Sequence, residues 1–152
     1  MRAYPSGLAV VTVGVEGERL GLTVGSLVSL SLDPPLLGLA VSRQAAMHEL
    51  LRSAGTFAVS LLAADQTAAA QHFARGVPPI ALWHGIASRD GTLGAPLLDD
   101  ALGWLECRLT EEHATGDHTF FVGEVVTLER GRIAPPLIYL DQRYQTPSSG
   151  GS

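Results

Sequence analysis

The chain is 152 residues long, carries a formal net charge of −5, and has arginine at all ten of its basic positions, so the basic stripe usual in nucleic-acid binders is missing. At 46% hydrophobic and 16% charged the composition suits one compact domain and contains no apolar run long enough to span a bilayer. The single cysteine, Cys107, excludes an intrachain disulfide and a cysteine-based zinc site, and without a signal-peptide pattern ahead of the first strand-like run a cytoplasmic location is expected.

Residues 8–15 are rich in Val, Leu and Thr, the polar turn Glu16-Gly17-Glu18-Arg19 follows, and residues 20–28 complete a predicted β-hairpin. Asp33-Pro34-Pro35 breaks the chain before a short apolar strand at 36–41. Met47, Leu50, Leu51 and Ala54 fall at helical spacing, which predicts a helix over 45–54 stopped by Gly55. A strand is expected at 57–62, then a second helix capped by Asp65 and carrying Gln66, Ala69, Ala70 and Phe73. Residues 76–94, with two prolines, read as loop. Leu105, Cys107 and Leu109 alternate with Glu106, Arg108 and Thr110, predicting a strand with Cys107 inward and its charged neighbours outward. A long strand is expected at 119–128 and a short one at 137–140, with 147–152 as a frayed tail after a domain at 1–146. The sum is mainly β with short inserted α-helices, and a closed barrel buries that many strands without leaving edges.

No glycine pattern matches a dinucleotide-binding fingerprint or a P-loop. His48-Glu49-Leu50-Leu51-Arg52 approaches the zinc-protease motif, but Arg52 stands where the second histidine is needed; His48 reads as an exposed helix residue and no metal site is expected. Trp83 and Trp104 are expected to serve packing, and Asp99-Asp100 a solvated turn.

Seven ordered blocks carry a resemblance. They run from Tyr4-Pro5-Ser6-Gly7-Leu8-Ala9-Val10-Val11-Thr12 through Gly21-Leu22-Thr23-Val24-Gly25-Ser26, Ser29-Leu30-Ser31-Leu32-Asp33-Pro34-Pro35 and Gly55-Thr56-Phe57-Ala58-Val59-Ser60-Leu61-Leu62. Asp65-Gln66 with His72-Phe73-Ala74, Trp104-Leu105-Glu106-Cys107 with Gly116-Asp117-His118-Thr119-Phe120-Phe121-Val122-Gly123-Glu124-Val125, and Pro136-Leu137-Ile138-Tyr139 with Tyr144 complete them. Together they resemble the flavin reductase-like family, the short-chain reductases that feed reduced flavin to two-component monooxygenases. The resemblance implies an FMN-binding split β-barrel, usually a homodimer with flavin near the subunit interface. It implies FMN, or FAD, as the flavin and NADH or NADPH as hydride donor. The family usually has a helix ahead of the Pro5-Ser6-Gly7 block, so a trimmed N-terminus is expected.

The resemblance also implies roles. Thr23, Val24, Gly25 and Ser26 wrap the flavin with hydroxyls and backbone N–H groups, and Gly25 stands where many relatives have Ser or Asn. Ser29 and Ser31 are either flavin contacts or loop-stabilising hydroxyls. Ser42, Arg43, Gln44 and Ala45, with the N-terminus of the next helix, occupy the flavin-phosphate segment, although the family's Ser/Thr cluster is mostly gone here. Ser60 replaces a common Asn in the cofactor set. Pro5, Ser6, Gly7, His118, Arg143 and Tyr144 fall to the nicotinamide. No catalytic acid or base is implied, because hydride passes directly between two rings. The same blocks admit an alternative, a split barrel that binds flavin or haem without turning over nicotinamide.

Overall fold

A computed structural model describes residues 1–147, so the expected tail lies outside the described residues except for its first residue, Pro147. The elements run β1 (Ser6–Gly7), β2 (Ala9–Val15), β3 (Glu18–Val24), β4 (Val28–Leu32), β5 (Pro35–Ser42), α1 (Ala46–Ala54), β6 (Thr56–Leu61), α2 (Thr67–Ala74), α3 (Pro79–Leu82), β7 (Ser88–Asp90), β8 (Pro96–Leu98), β9 (Gly103–Thr115), β10 (His118–Arg130), β11 (Ile138–Leu140) and β12 (Arg143–Gln145). The main sheet is antiparallel, ordered β3-β2-β6-β9-β10-β5-β4. Its two edge strands, β3 and β4, are consecutive in the chain. The sheet curls until β3 approaches β5 without pairing to it, and this gap is the split in the barrel. Among the described residues, no helix is long and apolar enough to cross a membrane.

The first hairpin turns through Glu16 and Gly17 at φ 52° and 82°, the two left-handed positions that a tight two-residue hairpin turn needs. Helix α1 stops where expected, at Gly55 in the left-handed conformation with its N–H on the Leu51 carbonyl. Inside the barrel Val11, Val13, Leu39, Phe57, Cys107 and Phe121 form one core. Strand β2 is buried along Ala9–Val13 without alternation, because its other face is covered too. Val10 packs with Phe73, Leu82 and Leu137 beneath α2 and α3, and the Thr12 hydroxyl donates to the Pro96 carbonyl at 2.6 Å.

That outer covering corrects four expectations. Glu106 does point opposite Cys107, but it is buried: the 91–95 turn closes over it, and its carboxylate accepts the Leu93 N–H at 2.9 Å and the Thr127 hydroxyl at 2.8 Å. Residues 76–94 contain α3 and β7 rather than loop alone. Asp65 does not cap α2, which begins after Gln66 with no side-chain cap; Asp65 pairs with Arg132 instead. That guanidinium holds the Asp65 carboxyl below its usual range. The contribution is therefore present at neutral pH and is lost as pH falls through the lowered value. The expected strand near the C-terminus is one arm of a β11–β12 hairpin that also pairs with β1.

Trp83 and Trp104 serve packing as expected. Their indole N–H groups donate to the Arg19 and Leu98 carbonyls, each at 2.7 Å, and their faces carry Arg19 and Arg89.

Candidate functional site

The open edge of β3 forms one wall of the site. The two-residue turn makes Val15 and Glu18 a hydrogen-bonded pair, and pairs alternate along an antiparallel ladder. Val11–Leu22 and Ala9–Val24 are then bonded pairs, while the N–H and C=O groups of Gly21 and Thr23 point away from β2 into the split. A cavity of about 450 Å³ lies there, lined by Leu22–Ser26, Ala40, Ser42, Ala45 and His118. Its size suits a small-molecule site.

The side chains of this wall are mostly engaged in structure. The Thr23 hydroxyl donates to the Ala70 carbonyl at 2.7 Å. Ser26 Oγ accepts the Ala40 N–H at 3.0 Å and donates to the Ala40 carbonyl at 3.3 Å, fastening the β3–β4 loop across the split to β5. Val24 is buried in the core. The segment thus offers chiefly backbone rather than the hydroxyls that the resemblance implies.

At the far end β5 turns into α1. Ser42 Oγ accepts the Gln44 N–H at 3.3 Å, the Ala45 N–H reaches the Ser42 carbonyl at 3.1 Å, and the Arg43 N–H reaches the Asp117 carbonyl at 3.0 Å. Helix α1 starts after Ala45 with no side-chain cap, which leaves first-turn N–H groups free beside a cavity that Ala45 lines. Arg43 is exposed and has no carboxylate partner among the described residues. Among those residues the guanidinium makes only a long 3.5 Å bond to the Gly116 carbonyl, and free helix-end amides near such a group are the donor set a phosphate monoester needs. These residues fit a flavin mononucleotide with its phosphate at the Ser42–Ala45 turn.

His118 is the register partner of Ser42 and stands at the mouth of the cavity with its side chain 45% exposed. Its Nδ1 lies 2.8 Å from Asp117 Oδ1, and hydrogen bonding from His118 holds the Asp117 carboxyl below its usual range. Although the side chains of neighbouring strand residues usually point apart, these two meet because the Gly116-Asp117 turn ends at His118.

A second cavity of about 400 Å³ opens on the other side of Gly25, lined by Pro5, Ser6, Gly7, Leu27, Leu61 and Leu137 among others. Gly25 lines both cavities. A Cβ there would sit 2.8 Å from Ser6 Oγ, so any side chain at this position displaces the Ser6 hydroxyl that faces it. The small sheet places Ser6 opposite Tyr139 and Tyr139 opposite Tyr144, whose rings meet edge to face at 5.4 Å. Ser6, Gly7, Arg143 and Tyr144 are therefore gathered by one three-stranded sheet, whereas His118 lines the first cavity across the barrel opening.

Among the expected contacts, Arg43, Gln44, Arg143 and Tyr144 stand near the two cavities but line neither, and Ser29, Ser31 and Ser60 are not brought in. Ser29 and Ser31 lie along β4, outside both cavities. Ser60 is fully buried, and its hydroxyl accepts the Leu98 N–H at 3.1 Å, holding β8 against β6.

His48 was missed by the sequence reading, which expects it to be exposed. It is 6% exposed, its Nε2 lies 2.6 Å from Thr119 Oγ1, and its ring packs 5.4 Å from Phe121. Helical spacing to buried Leu51 is the signal that marks it. The bond ties α1 to the start of β10, next to His118. Replacing His48 with leucine is expected to orphan the buried Thr119 hydroxyl and cost about 1–3 kcal/mol in urea denaturation, with partial recovery in His48→Gln.

The model of the flavin reductase like domain matches residues 1–148. The chain is 40% identical over 142 residues to the reductase component of 4-hydroxyphenylacetate 3-monooxygenase from Thermus thermophilus, covering 93% of this chain and 89% of that protein. The solved NADH:FAD oxidoreductase of Streptomyces globisporus superposes with a TM-score of 0.92 at 38% identity, over 96% of this chain and 88% of that one. The flavin reductase component of a bacterial two-component tryptophan halogenase gives a TM-score of 0.90 at 38% identity, over 95% and 92%. With its sheet split between β3 and β5, this chain belongs to the flavin reductase-like family.

Proposed function

We propose that the protein is an NAD(P)H-dependent flavin reductase that serves a partner oxygenase, binding FMN or FAD in the split between β3 and β5. The carrying observation is the convergence there of an unpaired strand edge and an uncapped helix start on one cavity. A bound flavin supplies the hydride acceptor; the chain has to hold two rings face to face and keep water out, which accounts for much of the barrier through orientation. The backbone of Thr23–Ser26 lies along the flavin, while Arg43 and the first amides of α1 hold the phosphate. Pro5–Gly7 and His118 flank the nicotinamide from opposite sides, with Arg143 and Tyr144 behind Ser6. Ser29, Ser31 and Ser60 take no part.

Two site variants probe this arrangement. Arg43→Ala is expected to weaken FMN about tenfold, the low end for a charge-assisted bond because the side chain is exposed, and to leave riboflavin unaffected. Fluorescence titration checks it; equal binding of FMN and riboflavin by the unaltered protein removes the phosphate assignment. His118→Ala is expected to raise the KM for NADH about tenfold at saturating flavin, equivalent to one lost contact, with flavin affinity nearly unchanged. An equal loss in flavin binding places His118 on the flavin instead.

The protein acts as a homodimer in this reading. Val28, Leu30 and Leu32 on edge strand β4, with Val126 and Leu128 on β10, are exposed apolar side chains, and clustered apolar surface of this kind marks an interface. A single buried thiol suits the cytoplasm, where thiols are kept reduced.

A further inference from the structure

We propose that His48 is a positioning residue that couples the two halves of the site, so that a phosphate on the flavin tightens the hold on the dinucleotide. The proposal rests on the reading that places the flavin phosphate at the Ser42–Ala45 turn and His118 at the nicotinamide. His48 itself lines neither cavity. It sits in the first turn of α1, where its N–H closes on the Ala45 carbonyl at 3.0 Å. The Ala46 and Met47 N–H groups have no backbone partner among the described residues, and these are the amides left for a phosphate.

The same turn is fastened to β10. His48 Nε2 lies 2.6 Å from Thr119 Oγ1, and both residues are 6% exposed. Breaking this bond orphans two polar groups away from water, which costs more than losing an exposed one. Glu49 Oε1 lies 3.0 Å from Nδ1 and the Phe121 ring packs at 5.4 Å, so the imidazole is held in one orientation. Thr119 follows His118 in β10, and the two stand opposite Val41 and Ser42 of β5. Two further ties join the same segments. The Arg43 N–H donates to the Asp117 carbonyl at 3.0 Å, and the Arg43 guanidinium reaches the Gly116 carbonyl at 3.5 Å. A phosphate that draws Arg43 off Gly116 and seats the α1 amides therefore moves this turn as a unit. Through the His48–Thr119 bond it sets where β10 begins and where His118 stands. The dinucleotide, bound better by that placement, returns the same advantage to FMN.

Equilibrium titration with NAD+, which has no hydride to donate, tests the proposal on the purified chain saturated with FMN or with riboflavin. NAD+ is expected to bind about fivefold more tightly beside FMN than beside riboflavin, the low end for coupled sites. Saturating NAD+ is expected to tighten FMN by the same factor and to leave riboflavin unchanged. His48→Leu and Thr119→Val are each expected to bring NAD+ affinity beside FMN down to that beside riboflavin. His48→Gln, whose amide can still reach the Thr119 hydroxyl, is expected to restore most of the difference. Equal NAD+ affinity beside the two flavins in the unaltered protein overturns the proposal, as does a difference that survives either His48→Leu or Thr119→Val. Losses of equal size beside both flavins make His48 a structural residue alone and overturn it too. Failure to bind FMN or NAD+ at all removes the underlying reading and the coupling with it. That result is told apart by a missing binding signal, where failed coupling gives two equal affinities.

Discussion

Alanine at position 57 is expected to remove about 3–5 kcal/mol of stability, the usual cost of deleting a fully buried phenylalanine. The Phe57 ring is completely buried on β6. It lies over Gly123 of β10, where a Cβ would come within 2.5 Å of the ring and within 3.1 Å of the Cys107 Cβ. The ring thus fills the space that Gly123 leaves open, and the paired strands around it, β6, β9 and β10, have little room to collapse into the cavity left behind. Urea denaturation measures the loss, and Cys107 reports it independently. Burial, with the Glu106 charge beside it, pushes that thiol up to about 12, so a thiol reagent is expected to reach it only through opening of the core. The variant should label far faster than the unaltered protein. Gly123→Ala alone should also destabilise, by about 1–3 kcal/mol from overpacking. Combining it with Phe57→Leu should cost less than the two single changes added together, because the residues share one volume. Additive losses, or a Phe57→Ala cost below about 1 kcal/mol, contradict this packing.

Valine at position 25 is expected to lower kcat/KM by about 100-fold or more, the scale on which a misplacement of about 1 Å slows an oriented reaction. Gly25 is the boundary between the cavity assigned to flavin and the one under Pro5–Gly7. Any Cβ meets Ser6 Oγ at 2.8 Å, and a branched side chain must push β1 away or enter the space where the two rings meet. Its φ is not in the left-handed region, so the backbone itself tolerates a side chain, and the midpoint of thermal unfolding is expected to move by only a few degrees, about 1 kcal/mol for a domain of this size. Steady-state kinetics and a thermal melt on the same sample separate the two effects. A normal kcat/KM removes Gly25 from the site, and a collapse of stability makes its role structural.

Most of the barrel is legible in the sequence because its strands are bounded by turn chemistry. The Glu16-Gly17 hairpin, the Asp33-Pro34 reversal and the Gly55 stop all lie where local residues require them. What was hidden depends on covering elements far away in the chain. Alternation correctly turned Cys107 inward, but it assigned Glu106 to water because nothing local announces that residues 91–95 fold over it. Ser60 read as a cofactor contact for the same reason: its hydroxyl is used by Leu98, 38 residues on. The site was legible as blocks rather than as geometry. The Thr23–Ser26, Ser42–Ala45 and Gly116–His118 segments were all marked, and the structure brings them to one cavity. Where the barrel splits was not readable, because it depends on β3 failing to pair with β5 once the whole sheet has curled. His48 could have been found from its spacing to Leu51, but an imidazole at such a position carries no sign of a partner on β10.

The most direct test of the central claim is anaerobic mixing of the purified chain with FMN or FAD and a small excess of NADH or NADPH, following both absorbances. A flavin reductase is expected to bleach the flavin band and consume nicotinamide in equal amounts, with at least one flavin and one donor. Flavin that binds in the split, yet keeps its oxidised spectrum with either donor, contradicts the account and makes this chain a non-catalytic flavin-binding barrel.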